Sequence, residues 1–262
     1  KGARDFEFEK IVYRLQQKAH RTILEINLDA LTHNLNYYRS KVGPKTKLMG
    51  MVKAFAYGSG SAEVANLLQY NHVDYLGVAY TDEGVMLRQN GITVPIMVMN
   101  ADIETFDLLW KYQLEPELYS RSIILRWIEY CKSQPNPMQA PAVHLKLDTG
   151  MHRLGFVEDD YTWLTQLLSE TPSLKVASVF SHLVGADEGK HNEFSRSQYA
   201  NFIKGAERIE KTLGYSVLKH ILNSAGIIRF PEYKMDMVRL GIGLYGVEAT
   251  GYYQSHLQEV ST

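Results

Sequence analysis

Short apolar runs rich in Val, Ile, Leu and Met alternate along the chain with longer amphipathic stretches. The runs are Lys47–Lys53, Tyr75–Ala79, Pro95–Met99, Glu115–Tyr119, Ala142–Leu147, Lys175–Ser181, Lys219–Asn223 and Met237–Leu240. Between them lie helical patterns at Ala62–Asn71, Asp82–Asn90, Ile103–Tyr112, Ile123–Lys132, Tyr161–Leu168 and Arg196–Leu213. Thr81 and Asp102 stand where helix N-caps are expected. Strands separated by helices predict a parallel sheet. Eight such units favour an α/β fold of the closed (β/α)8 TIM type over an open doubly wound sheet.

Two flanks fall outside this alternation. Lys1–His20 reads as one helix, with Phe8, Ile11, Val12 and Leu15 on its apolar side. Thr22–Leu28 reads as an extra strand ahead of the first barrel helix, Asp29–Val42. After Tyr245 the segment Gly246–Thr262 is expected to leave the barrel. The chain therefore divides into a leading segment (1–20), a barrel (21–246) and the start of a further domain (247–262).

The 262 residues match the roughly 250 that such a barrel uses. A net charge of −1 offers no basic excess for a nucleic-acid backbone, so that class of partner is not expected. No apolar run approaches the ~18 residues of a membrane span. One cysteine, Cys131, has no partner for an internal disulfide, which suits a reducing cytoplasm; on its amphipathic helix it reads as a packing residue. A start at Lys1 and an end at Val260-Ser261-Thr262 suggest a piece of a longer polypeptide.

In a barrel of this type, chemistry sits at the C-terminal ends of the strands. Those ends carry Lys53, Lys146 with Asp148, His182, Asn223 with Ser224, and Arg239. Lys53 follows an apolar run and precedes Ala54-Phe55-Ala56-Tyr57-Gly58. A lysine held partly desolvated there has a lowered pKa, which imine chemistry needs; a lysine snorkelling beside a glycine-rich turn would look the same. Asn223-Ser224-Ala225-Gly226 and Arg239-Leu240-Gly241-Ile242-Gly243 occupy the loops after the seventh and eighth strands, the usual phosphate site of the fold. There glycines let backbone N–H groups approach an anion and Ser224 adds a donor, although Asn, Ser and Gly also favour ordinary turns. An imine-forming lysine with a phosphate cup suggests pyridoxal 5′-phosphate (PLP), and Arg239 fits as the partner of its ring nitrogen. Asp187, Glu188 and His191 resemble a metal trio only superficially, and no metal is expected.

Three ordered segments carry a closer resemblance. Val52-Lys53-Ala54-Phe55-Ala56-Tyr57-Gly58 is similar to the PLP-lysine signature of the fold-III alanine racemase family, with Phe55 where Asn is more usual. Lys146-Leu147-Asp148-Thr149-Gly150-Met151-His152-Arg153-Leu154-Gly155 resembles its second signature. Met237-Val238-Arg239-Leu240-Gly241-Ile242-Gly243-Leu244-Tyr245-Gly246 resembles its third, with Leu240 where Pro is common. The resemblance implies interconversion of L- and D-alanine for peptidoglycan, in a cytoplasmic homodimer. It implies that Lys53 holds PLP and serves as acid/base on the D-alanine side. Tyr57, Asn223, Ser224 and the backbone of Gly241 and Ile242 would bind the phosphate side, and His182 would lie against the ring. Arg239 would hydrogen-bond the ring nitrogen; because arginine only donates, that nitrogen stays unprotonated and the ring is a shallower electron sink. Arg153 would meet the substrate carboxylate, positioned by Lys146 in a carbamylated form that turns a like-charge pair into an attractive one. The acid/base for the opposite face would be a tyrosine from the partner subunit's C-terminal domain. The alternatives are a single-domain PLP carrier of the same fold, which has no need of the Arg153 and Lys146 pair, and a PLP-free phosphate-binding barrel enzyme, which a borohydride-sensitive yellow chromophore at Lys53 would remove. Lys1-Gly2-Ala3-Arg4-Asp5-Phe6-Glu7-Phe8-Glu9-Lys10-Ile11 resembles the tail of a Mur ligase, the enzyme that adds D-alanyl-D-alanine to the cell-wall precursor, which implies a ligase–racemase fusion.

Overall fold

The computed structural model describes residues 24–261. The helix expected over Lys1–His20 lies outside them, as do Thr22 and Ile23. Eight strands follow one another: β1 Lys47–Met51, β2 Tyr75–Val78, β3 Ile96–Val98, β4 Glu115–Leu118, β5 Val143–Lys146, β6 Val176–Phe180, β7 Leu218–His220 and β8 Met237–Leu240. The helices are α1 Leu28–Val42, α2 Ser61–Tyr70, α3 Thr81–Gln89, α4 Phe106–Lys111, α5 Arg121–Ser133, α6 Tyr161–Glu170, α7 Asn192–Leu213 and α8 Ser224–Arg229, with one further turn at Lys53–Tyr57. Neighbouring strands run parallel in the order β7-β6-β5-β4-β3-β2-β1-β8. The gap between β7 and β8 is bridged without a regular ladder, by Arg239 N–H to Leu222 O at 3.0 Å and Asp236 N–H to Lys219 O at 3.2 Å. The result is the expected eight-stranded TIM-type barrel.

Two-residue alternation along each strand separates two cores. Outward residues such as Leu48, Leu76, Leu145, Val179 and Val238 pack under the helices with Leu35, Leu68, Leu87, Ile124 and Phe202. Inward residues Met49, Met51, Met97, Phe180 and Met237 form a separate cluster in the lumen. The same inward register also points Glu117, His144, Lys146, Ser178, His220 and Arg239 into the barrel, all buried. Flexible methionines fill an irregular lumen that rigid side chains would leave voided.

Several local expectations are corrected. β1 stops at Met51, so Lys53 opens a helical turn and does not end a strand. Thr81 is the first residue of α3 and not its cap; the Glu83 carboxylate, on the following turn, accepts from Tyr80 N–H at 3.2 Å. Asp102 does cap, but on the short 3-10 turn Ile103–Thr105 ahead of α4. β7 is shorter than Lys219–Asn223, because Asn223 becomes the N-cap of α8, a helix that the chain's turn-like composition there conceals. The described part of Thr22–Leu28 makes a single antiparallel bridge, Ile26 with Ser261, before α1 begins. The segment after Gly246 returns along α1, where Asn34 donates to Leu244 O and Gln258 O and accepts from Gln258 N–H. No helix among the described residues is long and apolar enough to cross a membrane.

Candidate active site

A cavity of about 250 Å³ opens at the C-terminal mouth of the barrel, and all ten expected site residues line it. Lys53 reaches it from the turn after β1. In that turn Ala54, Phe55, Ala56 and Tyr57 all have φ between 53° and 56°. A left-handed turn of L-residues is strained by roughly 1–2 kcal/mol per residue, so something must hold it. Glu83 does: its buried carboxylate accepts Ala54 N–H at 2.6 Å and Ala79 N–H at 2.6 Å, tying the turn to the end of β2. Lys53 has no carboxylate within ion-pair distance among the described residues. Burial, then the fields of Arg153 and Arg239, push its amine down, against a smaller pull from Glu83.

Lys146 ends β5 beside Glu117 on β4, with Nζ 3.1 Å from Glu117 Oε1. Both side chains are buried, and the amine lies 5.5 Å above the Phe180 ring. Burial pushes the Glu117 carboxyl up to about 7, opposed chiefly by Lys146. Lys146 is in turn pushed down by burial, opposed by Glu117. Arg153 sits on the loop that follows β5. Asp148 Oδ1 accepts Gly150 N–H and His152 N–H, and Phe156 N–H returns to Lys146 O, so the loop closes on itself. It can close only because Gly155, at φ 130°, has no Cβ; one built there would lie 2.5 Å from Asp148 N. Arg153 makes no side-chain ion pair among the described residues and remains available to an anion.

Arg239 projects inward from β8 and is held on three sides. Its Nη2 donates to Ser181 O at 2.7 Å and lies 3.3 Å from His182 Nδ1; Nη1 donates to His220 Nδ1 at 2.7 Å. From there a chain crosses the lumen: His220 Nε2 to Ser178 Oγ at 3.0 Å, Ser178 Oγ to His144 Nδ1 at 2.7 Å, and His144 Nε2 to Glu115 Oε2 at 2.9 Å. Since arginine can only donate, each link has one direction, and His220 carries its proton on Nε2. Burial pushes Arg239 down to about 10, which still leaves it charged at neutral pH. Burial and then Arg239 push His182 down to about 3 and His220 well below its ordinary value, so both rings are neutral.

On the opposite wall, Ser224 Oγ accepts Gly241 N–H at 2.9 Å and Gly243 N–H at 3.2 Å, which leaves its hydroxyl proton for another acceptor. Gly241 N–H is thus already engaged. A Cβ on Gly241 would stand 3.1 Å from Tyr57 Oη, so the glycine keeps this corner open. Tyr57 packs on Tyr245 with ring centroids 4.7 Å apart. Asn223 caps α8, accepting Gly226 N–H at 2.9 Å and donating to Leu183 O, so its side chain shapes the wall and offers no free donor pair. Ile242 opens the 3-10 turn Ile242–Tyr245 beside it.

The alanine racemase N-terminal domain model matches residues 26–249. The chain belongs to that family. An alanine racemase of Nostoc sp. is 35% identical over 243 residues, covering 92% of this chain and 61% of that protein. One of Clostridium kluyveri is 36% identical over 233 residues, covering 88% and 57%. Among solved structures, alanine racemase from Clostridium difficile 630 superposes with a TM-score of 0.81 at 34% identity, covering 92% of this chain and 64% of that one. Alanine racemase from Bartonella henselae, described with covalently bound pyridoxal phosphate, gives 0.80 at 25% identity, covering 91% and 64%. The chain thus spans less than two thirds of the length of these racemases.

Three features of this racemase-family site escape sequence reading. Glu117 and Glu83 lie on segments whose composition marks them as ordinary strand and helix residues. The lumen relay from Arg239 to Glu115 joins five strands, β8, β7, β6, β5 and β4, through residues distant in sequence. Period-two counting back from Lys146 and Arg239 would have flagged His144 and Met237 as inward-facing, but nothing would have joined His144 to His220.

Proposed function

We propose that this chain is the cofactor-binding barrel of an alanine racemase, whose complete form interconverts L- and D-alanine with PLP. The observation that carries the reading is the meeting, at one barrel mouth, of an amine with no counter-ion among the described residues, an arginine with spare donors and a hydroxyl-lined glycine corner. The residues fit the group. Lys53 is depressed by burial and by two arginines, as an amine that must react with an aldehyde should be. Gly241 leaves space beside the Tyr57 and Ser224 hydroxyls where a phosphate could be received. Arg239 keeps Nε–H and one Nη1–H without an acceptor among the described residues, so it can donate to a ring nitrogen.

When bound, PLP would withdraw electrons from the substrate's α-carbon and so acidify the α-proton. Lys53 Nζ would hold the cofactor's aldehyde carbon and then carry the α-proton on one face. Arg153, uncommitted among the described residues, would take the substrate carboxylate. Neutral His182 lines the cavity as a flat, uncharged wall. Arg239, which can donate but not accept, would meet the ring nitrogen as a donor only and so would moderate the electron withdrawal that the cofactor supplies. The acid/base of the other face would come from outside the barrel, from a tyrosine of the partner subunit in a homodimer. We further read residues 1–20 as the end of a Mur-type ligase, 21–246 as the barrel and 247–262 as the start of a further domain. A cytoplasmic enzyme supplying D-alanine for peptidoglycan, with no nucleic-acid or membrane partner, fits this arrangement.

Mixing the chain with PLP, reducing with borohydride and mapping peptides by mass spectrometry tests the assignment. The phosphopyridoxyl group is expected on Lys53 and absent from the Lys53→Ala variant. Trapping on another lysine in the wild-type chain would overturn the assignment of Lys53.

A further inference from the structure

Behind Lys53 the mouth continues into a second chamber of about 180 Å³, walled by Glu117, Lys146, Arg153 and Asn100. Three cations of this region, Lys146, Arg153 and Arg239, act on a single carboxylate, Glu117. Glu117 is fully buried, its Oε1 lies at ion-pair distance, 3.1 Å, from Lys146 Nζ, and neither carboxylate oxygen has a well-directed hydrogen-bond partner among the described residues. A buried carboxylate so placed is kept only if its charge is balanced. The balance works in both directions: without Glu117, Lys146 would be an ammonium buried against Phe180 and two arginines, and would lose its proton.

The protonation state of Lys146 decides what it can react with. A neutral amine adds to carbon dioxide: its lone pair forms the N–C bond, one C=O electron pair moves onto oxygen, and the displaced N–H proton leaves to solvent. An ammonium has no lone pair and does not add. A carbamate on Lys146 would also bring a second anion against Glu117, in a pocket where one carboxylate is already strained by burial.

We propose that Glu117 is the built-in anion of this site: it holds Lys146 as an ammonium, keeps it free of carbamate, and supplies the negative charge facing Arg153. Glu117 is thus a positioning residue acting through Lys146. The inference concerns side chains of the chain alone and stands whether or not Lys53 holds a cofactor.

The test is carbon-13 NMR of the chain in carbon-13-labelled bicarbonate at pH 8, above the range where Glu117 titrates. The wild-type chain is expected to show no carbamate resonance assignable to Lys146. Glu117→Gln, which keeps shape and removes charge, is expected to gain one, and adding Lys146→Ala should remove it. A Lys146-dependent carbamate in the wild type would overturn the proposal, as would a folded Glu117→Gln chain that gains none. Should Glu117→Gln fail to fold, nitrogen-15 NMR of lysine-labelled wild type decides. Lys146 Nζ is expected as an ammonium at pH 8, and a neutral amine or carbamate there refutes the role of Glu117.

Discussion

His182 and His220 sit within reach of Arg239, and both are kept neutral by burial and by that guanidinium. An unfolded histidine takes up a proton near 6.5. Folded His182 does not until about 3. Between these values the unfolded state binds more protons, so this contribution to stability is complete above 6.5 and is lost as pH falls. Below pH ~6 each such histidine should steepen the loss by about 1.4 kcal/mol per pH unit. Glu117, raised by burial, acts in the opposite sense between its unfolded range and about 7, so the comparison must isolate one group. Denaturant unfolding from pH 7 to pH 4 is expected to show a shallower slope for His182→Asn than for the wild type; equal slopes would mean that His182 is protonated in the folded chain. Arg239 offers a second residue-scale prediction. Replacing it with Glu puts a carboxylate where only donors stood and strips His220 Nδ1 of its donor. In full-length racemase carrying this barrel, Arg239→Glu should slow racemisation by on the order of 10²-fold and let pyruvate, the product of transamination, be detected. Unchanged turnover without pyruvate would remove Arg239 from the ring-nitrogen position.

The Lys53–Tyr57 turn is the element whose local chemistry conflicts most with its backbone. Four consecutive non-glycine residues hold positive φ, and Phe55 among them is bulky and 64% exposed. The asparagine more usual at this place in the family tolerates the left-handed region, because its short side chain can hydrogen-bond locally. Phe55→Asn should therefore raise stability by about 0.5–1 kcal/mol, read as a higher denaturation midpoint; a lower midpoint would mean that Phe55 packs on something that favours it. Glu83 is the counterweight. Its carboxylate gathers N–H groups from Ala54, Ala79 and Tyr80, three donors from two elements. Glu83→Ala should cost about 3 kcal/mol and slow borohydride-trappable PLP uptake at Lys53, since the turn would lose its tether. Uptake at the wild-type rate would mean that the turn holds itself.

For the molecule as a whole, two features of the barrel mouth bear on the proposed function. Among the described residues that line the cavity, Tyr57 is the only phenol, and it lies at the Gly241 corner assigned to the phosphate under the proposed function. Around the rim, Phe55, Tyr80, Ile103, Val184 and Val247 follow five different strands and are all exposed. Under the proposed function, these apolar side chains would be covered by another domain or chain. The isolated 262-residue chain is therefore expected to bind PLP yet racemise alanine at least ~10²-fold more slowly than a full-length racemase, the low end of what a positioned acid/base supplies. Conversion of L- to D-alanine by the purified chain at saturating PLP measures this. Turnover equal to a full-length enzyme would place the second acid/base inside the barrel.

The order of strands and helices was legible because apolar periodicity is local: β8 begins and ends where its pattern does, and the other strands differ by one to three residues at their ends. That the ten candidate residues line one cavity was legible because strand ends in this fold face one mouth, and because three signatures are contiguous in sequence. The contacts of Glu117, Glu83 and the His144–Ser178–His220 relay were not. Each depends on a partner tens of residues away, brought near only when parallel strands set their register around a closed ring. His144 faces Ser178 because β5 and β6 pair at that step, and Ser178 meets His220 because β7 lies on its other side. Likewise Lys146 could be read from the chain as a cation near a cation, Arg153. Only the barrel shows the carboxylate from β4 beneath it, because burial and charge balance are properties of neighbours in space.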